Sequence, residues 1–294
     1  MSGINQNTYL EKLNFSINNI VSEFKGLCGV SIYDPDTNWY LGINDEMIFP
    51  TASSIKIPIL IKLLSDADKK LVNLSDEIII TEEMKSRGSG VIHKMTGSVK
   101  MTIENLAILM INLSDNTATN LCIDIANQKE INEMLSSYDF GTMKLNRKMQ
   151  DYQAINEGKE NIATPKEMNM ILQMLDNKSL FNESVSNKTL DILAINKSTP
   201  ISQPLPENIK VAGKTGGMPG VRCETAIVYL NNIRYILTVM TSYGGQSEIP
   251  QNYLNGEYNG SDIISKISSE TYKYFNTIDN SSAFGQGLTQ TINY

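Results

Sequence analysis

The chain has 294 residues, of which 41% are hydrophobic and 19% charged. This composition is typical of a globular protein with a substantial core and excludes a disordered chain. The 25 basic residues are outnumbered by 32 acidic ones, giving a net charge of −7, so we expect no nucleic-acid partner. One histidine is too few for most zinc enzymes, and we expect no metal and no cofactor.

The cysteines and the lengths of the apolar runs indicate the cellular compartment in which the protein works. Cys28, Cys122 and Cys223 form no CxxC pair, so we expect small buried thiols in a reducing compartment rather than disulfides. No run of 18 apolar residues is present, so we expect no membrane partner. The N-terminus lacks the basic start and apolar run of a signal peptide. The sequence as given therefore predicts a cytoplasmic protein, or a secreted one if a leader was removed.

The first predicted elements are a helix and a hairpin. The helix ends at Gly26 and carries apolar residues at steps of three and four: Leu10, Leu13, Ile17, Ile20 and Phe24. Strands follow at residues 29–34 and 39–43, joined by a turn through Pro35.

Helices are predicted through the middle of the chain. Thr102 can cap one of them, and Thr164-Pro165-Lys166-Glu167 has the form of a capping box with proline at the first helical position. A strand-like segment at 209–212 then precedes a second hairpin, over 225–230 and 233–240. The last helix is predicted over residues 262–275.

Strands near both termini thus enclose a helical middle. We predict an α+β (α/β sandwich) fold, with an antiparallel sheet of about five strands flanked by helices and a separate all-helical lobe. No repeat or linker divides the chain, so we expect a single catalytic unit. Residues 1–50 and 205–276 would form the sheet-containing lobe, 51–204 the helical lobe and 277–294 a polar C-terminal tail.

Three short polar motifs could carry chemistry. If a helix begins at Ser53, Lys56 follows at i+3 and lies on the same face. The others are Ser114-Asp115-Asn116 and Lys214-Thr215-Gly216. Each alone is also explained as ordinary structure: a helix face, an N-cap turn and a sheet-edge lysine. The same SxxK spacing recurs at residues 22–25, which we interpret as a solvated helix face.

In this order, the motifs resemble the SxxK, SDN and KTG signature of class A β-lactamases, in the β-lactamase and penicillin-binding protein superfamily. The resemblance covers about residues 9–275 and implies a β-lactamase/transpeptidase-like fold. It also implies an acyl-enzyme reaction with a small-molecule acyl substrate, which would be an amide, an ester or a β-lactam. The three motifs are highly specific for the superfamily and far less so for β-lactamase activity.

The resemblance implies three catalytic residues. Ser53 would be the acylated nucleophile, Lys56 its base, and Ser114 the group that passes a proton to the leaving nitrogen. A lysine can act as a base only if its pKa falls from ~10.4, and burial near a second ammonium, that of Lys214, favours the neutral amine.

The remaining roles concern substrate binding. By the same resemblance, Asn116 would hold the substrate amide carbonyl and the lysine, while Lys214 and Thr215 would bind the substrate carboxylate. The backbone N–H groups of Ser53 and Gly217 would form the oxyanion hole.

Two positions depart from the class A pattern. These enzymes carry a deacylating glutamate in a context like Leu-x-Arg-x-Glu, and alignment of Leu145 and Arg147 places Met149 there. A local shift of the loop could bring Asp151 to the position of the glutamate instead, but we favour the alignment that places Met149 there. Asn161 stands where the family has an aspartate paired to the loop arginine, so we expect the loop to be held differently.

These features predict a β-lactamase-like serine hydrolase that is acylated normally but releases β-lactam adducts slowly. One alternative is a transacylase or esterase of intracellular metabolism. Another is a penicillin-binding sensor-type module that holds the acyl adduct. The natural substrate, the acyl acceptor and the oligomeric state stay open.

Overall fold

The computed structural model describes residues 3–195, 198–243 and 259–289, with side chains for 10–195, 198–243 and 259–280. Its strands are β1 (Leu27–Asp34), β2 (Trp39–Ile43), β3 (Phe49–Pro50), β4 (Glu77–Ile80), β5 (Val99–Thr102), β6 (Ile162–Ala163), β7 (Lys210–Met218), β8 (Val221–Tyr229) and β9 (Arg234–Ser242). Its α-helices are α1 (Gly3–Glu23), α2 (Lys56–Asp68), α3 (Ile103–Asn112), α4 (Asn116–Ala126), α5 (Gln128–Ser137), α6 (Tyr152–Asn156), α7 (Pro165–Asp176), α8 (Glu183–Leu193) and α9 (Gly260–Thr289).

The main sheet is antiparallel and has the order β2-β1-β9-β8-β7. Strand β1 pairs with β9, for example Ile32 opposite Leu237, so the two ends of the chain meet in the centre of the sheet. The predicted five-stranded sheet built from both termini is confirmed. Strand β7, which carries the lysine-threonine-glycine motif, lies at one edge.

Two hydrophobic clusters cover the two faces of the sheet. On one face, α1 and α9 bury residues such as Ile17 and Phe275 against β1, β8 and β9. On the other, α7 and α8 separate the sheet from the helical part of the molecule. At the centre of that part lies α2, which contacts α3, α4, α5 and α8 and is buried over eleven of its residues. A helix that is apolar around most of its circumference requires such an enclosed position.

The last helix differs from the prediction. The sequence pattern ended it at residue 275, because polar residues dominate beyond that point, whereas α9 continues to Thr289. Asp279 explains part of the extension, since its carboxylate accepts hydrogen bonds from the backbone N–H groups of Asn231 and Asn232 in the β8–β9 turn. Residues 290–294 of the predicted tail lie outside the described residues.

Other boundaries agree more closely. Both predicted hairpins form, and Thr102 caps α3 as expected, with its side chain accepting from Asn105 N at 3.2 Å. The small β4–β5 pair was not predicted, because each strand has only four residues. All three cysteines are buried and free, as expected. Among the described helices, none is both long and apolar enough to cross a lipid bilayer.

The capping box of α7 supplies a test of the fold. Thr164 Oγ1 accepts from Glu167 N, and Glu167 Oε2 accepts from Thr164 N, both at 3.1 Å. We expect Thr164→Ala to lower the free energy of unfolding by about 1 kcal/mol, measured by urea denaturation, since it leaves a buried N–H group unpaired. Thr277→Ala, which removes an exposed hydroxyl bonded within its own helix, is the control and should change stability by less than about 0.5 kcal/mol. Equal losses in both variants would contradict the assigned role of the cap.

Candidate active site

The Ser53 segment is a tight turn at the start of α2. Residues Ala52–Ile55 form a 3₁₀ helix that continues directly into α2 at Lys56. Ser53 therefore does not begin an α-helix, as the sequence suggested, but occupies the 3₁₀ turn before it. Side chains at i and i+3 eclipse in a 3₁₀ helix, so Ser53 and Lys56 still share one face. Ala52 has φ +44°, a strained conformation that marks the turn as sharply bent.

This turn packs directly against the edge strand β7. A Cβ on Gly216 would overlap the carbonyl oxygen of Thr51 and lie 3.0 Å from Ser53 N, so only glycine permits this approach. Ser54 Oγ donates to Lys214 O at 3.3 Å. Cys223 Sγ donates to Thr51 O at 2.8 Å from the neighbouring strand. The packing brings the Ser53 N–H group to an edge strand, whose outer backbone groups have no partner in the sheet.

Lys56 lies at the centre of the site and is fully buried, with 0% of its surface exposed. Its Nζ donates to Ser114 O at 2.7 Å, to Ser114 Oγ at 3.0 Å and to Asn116 Oδ1 at 3.3 Å. No hydrogen bond joins Lys56 Nζ to Ser53 Oγ in this structure, and within the described residues the amine pairs with no carboxylate. The first two motifs thus meet through hydrogen bonds of the Lys56 amine to Ser114 and Asn116.

The loop that carries Ser114 is held by its central residue. Ser114 has φ +52°, and Asp115, which is completely buried, is the N-cap of α4. Asp115 Oδ1 accepts from Ala118 N at 3.0 Å, and Oδ2 accepts from Val91 N at 2.7 Å and Ile92 N at 2.9 Å. A carboxylate with three backbone donors fixes the loop firmly. The side chains of Ser114 and Asn116 are thereby directed to Lys56.

The electrostatic surroundings favour a neutral amine at Lys56. Burial lowers its pKa well below the usual value, and the nearby ammonium of Lys214 lowers it further. Asp115 and Cys122 oppose this shift in part. Lys214 is itself buried and donates to Thr215 O at 2.9 Å. The three motifs therefore supply what a lysine base needs, which is a pKa nearer the working pH.

Met149 lies against the first turn of α4. Its backbone is clamped by Asn120, whose Oδ1 accepts from Met149 N at 2.8 Å and whose Nδ2 donates to Met149 O at 3.1 Å. Asn120 follows Asn116 by four residues and so lies on the same face of the helix. Asp151, the other residue considered for the glutamate position, instead caps α6 by accepting from Ala154 N at 3.0 Å. The structure thus sets Met149, 9% exposed, beside the Asn116 helix.

Two neighbouring residues, Glu160 and Asn161, close the loop that carries Met149. The sequence analysis identified Asn161 but not Glu160. Arg147 donates to both carboxylate oxygens of Glu160, at 2.7 and 2.9 Å. Asn161 Oδ1 accepts from the N–H groups of Asn146 and Arg147, at 2.7 and 3.0 Å. The partner of Arg147 is thus Glu160, one residue before the position at which the resemblance to class A enzymes implies an aspartate, and the Asn161 side chain accepts from the loop backbone. The acidic neighbour of Asn161 was the signal that could have revealed this.

Comparison with known proteins identifies the family to which the chain belongs. The sequence pattern of the β-lactamase enzyme family matches residues 12–275. The chain belongs to that family. It is 24% identical over 287 residues to β-lactamase VEB-1 of Pseudomonas aeruginosa, a match that covers 92% of each chain. As a β-lactamase family member with the class A fold, the protein is a serine hydrolase.

Solved structures show the same fold. A β-lactamase from Sphaerobacter thermophilus superposes with a TM-score of 0.78 and 25% identity, covering 89% of this chain and 95% of that one. A mutant of PBP-A in an acyl-enzyme complex with penicillin G superposes with a TM-score of 0.79 and 22% identity, covering 91% and 97%. The fold is therefore shared by β-lactamases and penicillin-binding proteins.

The burial of Lys56 predicts a pH-dependent stability. Because its pKa is lowered by folding, the unfolded state binds more protons, and the penalty for burying the amine is largest at low pH and disappears above the unfolded pKa of ~10.4. We expect the stability of Lys56→Met relative to wild type to fall as the pH rises toward ~10.4, by up to about 1.4 kcal/mol per pH unit, measured by urea denaturation.

Lys62→Met, on the same helix, is the matched control. Burial acts to lower the pKa of Lys62, but its hydrogen bonds to Asp66 and Glu130 outweigh this and raise it. Because the pKa of Lys62 is raised by folding, its contribution to the free energy of unfolding is constant below pH ~10.4. The difference in stability between Lys62→Met and wild type should therefore not change over the same pH range. Parallel profiles for Lys56→Met and wild type would contradict a lowered pKa.

Proposed function

We propose that this protein is a serine hydrolase that forms an acyl-enzyme on Ser53, acts on amides, esters or β-lactams, and turns over β-lactams slowly. The observation that carries the proposal is the fully buried Lys56 amine, bonded to Ser114 and Asn116 and with a lowered pKa, together with the thioether of Met149 held beside the same helix. Family membership supports the reaction class.

In the acylation step, Ser53 Oγ attacks the carbonyl carbon of the substrate while its proton passes to the neutral Lys56 amine. The proton would pass to Lys56 Nζ directly or through Ser114 Oγ, which lies 3.0 Å from that amine. The carbonyl oxygen becomes an oxyanion that accepts from the N–H groups of Ser53 and Gly217. The carbon–nitrogen bond then breaks, and the proton reaches the leaving nitrogen through Ser114.

Substrate binding uses the same charges that tune the base. The Lys214 ammonium and the Thr215 hydroxyl, both on the edge strand β7, would bind a substrate carboxylate, and Asn116 would bind an amide carbonyl. The Lys214 charge would therefore attract an anionic substrate and also add to burial in lowering the pKa of Lys56. A bound substrate carboxylate partly cancels the positive charge of Lys214 and so raises the proton affinity of the Lys56 amine. This increase would come at the step in which Lys56 takes the proton from Ser53.

Hydrolysis of the acyl-enzyme needs a group that accepts a proton from water. The thioether of Met149 cannot do this, and Asp151 is engaged at the N-terminus of α6. The ester on Ser53 is therefore expected to persist. The same observation favours one alternative function, a module that holds the acyl adduct. A transacylase, in which an amine or alcohol replaces water, differs from both because added acceptor would accelerate release.

Replacement of Met149 tests the proposal. On addition of benzylpenicillin, intact-mass spectrometry should show a long-lived adduct on wild type and none on Ser53→Ala. We expect Met149→Glu to raise the rate of adduct loss by about 100-fold or more, since a positioned general base contributes about that much. Met149→Gln has the same size without a base and serves as the control.

Three outcomes would contradict or redirect this proposal. Rapid turnover by wild type with no lingering adduct contradicts slow deacylation. An adduct that also forms on Ser53→Ala contradicts the assigned nucleophile. An adduct of unlimited lifetime in wild type, with no acceleration by amine or alcohol acceptors, selects the adduct-holding module over the hydrolase and the transacylase.

A further inference from the structure

Gln150, which no motif identified, adopts an unusual conformation next to Met149. Its φ of +59° lies in the left-handed region that non-glycine residues rarely adopt. The Tyr152 hydroxyl donates to Gln150 Oε1 at 2.6 Å, and Tyr152 is largely exposed on α6. The turn and the tyrosine together fix the orientation of the carboxamide and direct its Nε2 donor end away from the tyrosine.

That donor end lies beside the acylation site. Measured from the position of a Cβ on Gly88, Gln150 Nε2 is 2.9 Å away and Asn116 Nδ2 is 2.7 Å away. Gly88 has φ +96°, so glycine is favoured there by conformation as well as by space. The two amide nitrogens therefore flank the same glycine, one carried by the Met149 loop and one by α4.

The hydrogen-bonding capacity of the two amides is only partly used. Asn116 Oδ1 accepts from Lys56 Nζ, and Asn116 Nδ2 donates to Arg87 O at 2.9 Å, which leaves one N–H. Gln150 Nε2 donates to no acceptor among the residues that the structure describes, and both of its hydrogens remain. Each of these two neighbouring amide groups thus has at least one N–H group for which the described part of the chain supplies no acceptor.

We propose that Gln150 is a substrate-binding residue that acts with Asn116 as a second amide donor to a carbonyl oxygen on the acyl side of the substrate. The inference rests on the proposed acylation of Ser53. The contact would favour acyl groups that carry an acylamino or similar carbonyl function near the scissile bond. Acyl groups without such an acceptor lose this contact and leave both amides to water.

Two β-lactams separate this role from a structural one. Benzylpenicillin carries an acylamino group, whereas penicillanic acid has hydrogen at the same carbon and keeps the ring and the carboxylate. We expect Gln150→Met, similar in size and equally strained at positive φ, to slow acylation by benzylpenicillin about tenfold, the loss of one hydrogen bond. Acylation by penicillanic acid should be unchanged. Rates of adduct formation are followed by quenched-flow intact-mass spectrometry.

Two further variants complete the test. Gln153→Met changes a glutamine on α6 whose Nε2 bonds to Glu157 at 3.1 Å, and it should leave both rates unchanged. Tyr152→Phe removes only the hydroxyl that orients Gln150 and should give a smaller loss, again confined to benzylpenicillin. It tests the proposal independently if Gln150→Met folds poorly.

The outcomes are distinguishable. Equal slowing with both compounds would show that Gln150 only supports the loop, and no slowing with either would show that it does not touch substrate; both results overturn the inference while leaving acylation of Ser53 intact. Absence of any adduct on wild type with both compounds overturns the proposed function and this inference together.

Discussion

The site depends on one unfavourable burial, that of the Lys56 amine in a place where the described residues supply no carboxylate partner. Its three hydrogen bonds go to the Ser114–Asn116 loop, and a second lysine, Lys214, lies close enough to repel its charge. Such an arrangement is costly for a charged ammonium and much less so for a neutral amine. In the proposed reaction, the neutral amine is the form that takes a proton from Ser53. The sheet and the helical part of the molecule meet at this point, since Gly216 of β7 lets the turn before α2 approach the edge strand closely.

In the proposed reaction, the loop after α5 determines the fate of the acyl-enzyme. Asn120 fixes the backbone of Met149, while Glu160 and Asn161 both hold the loop closed. These contacts hold the backbone of Met149 in one position beside α4. A loop held in this way around a thioether, which cannot act as a base, can serve another purpose. Recognition of substrate through Gln150 is one purpose that this geometry allows.

Local sequence patterns predicted much of the secondary structure and of the candidate site. The hairpins, the Thr164 capping box and the five-stranded sheet follow from alternation and capping signals, and the three polar motifs identified the residues that meet around Lys56. The misses have physical reasons. Helix α9 continues past residue 275 because Asp279 finds partners in a distant turn, which no local pattern reveals. Gln150 is defined by a positive φ and by proximity to Gly88, far away in the sequence, and neither is encoded in a motif. The 3₁₀ conformation of Ser53 arises from packing against β7.

The most direct measurement of the central claim is the titration of Lys56 itself. In protein with isotope-labelled lysine, the NMR shift of the carbon next to each amine reports its protonation as pH is raised. A neutral base at this position predicts one lysine signal, absent from Lys56→Met, that titrates far below the others. A spectrum in which every lysine of the folded protein titrates near ~10.4 would contradict it, because Lys56 would then be charged at neutral pH and unable to act as a base.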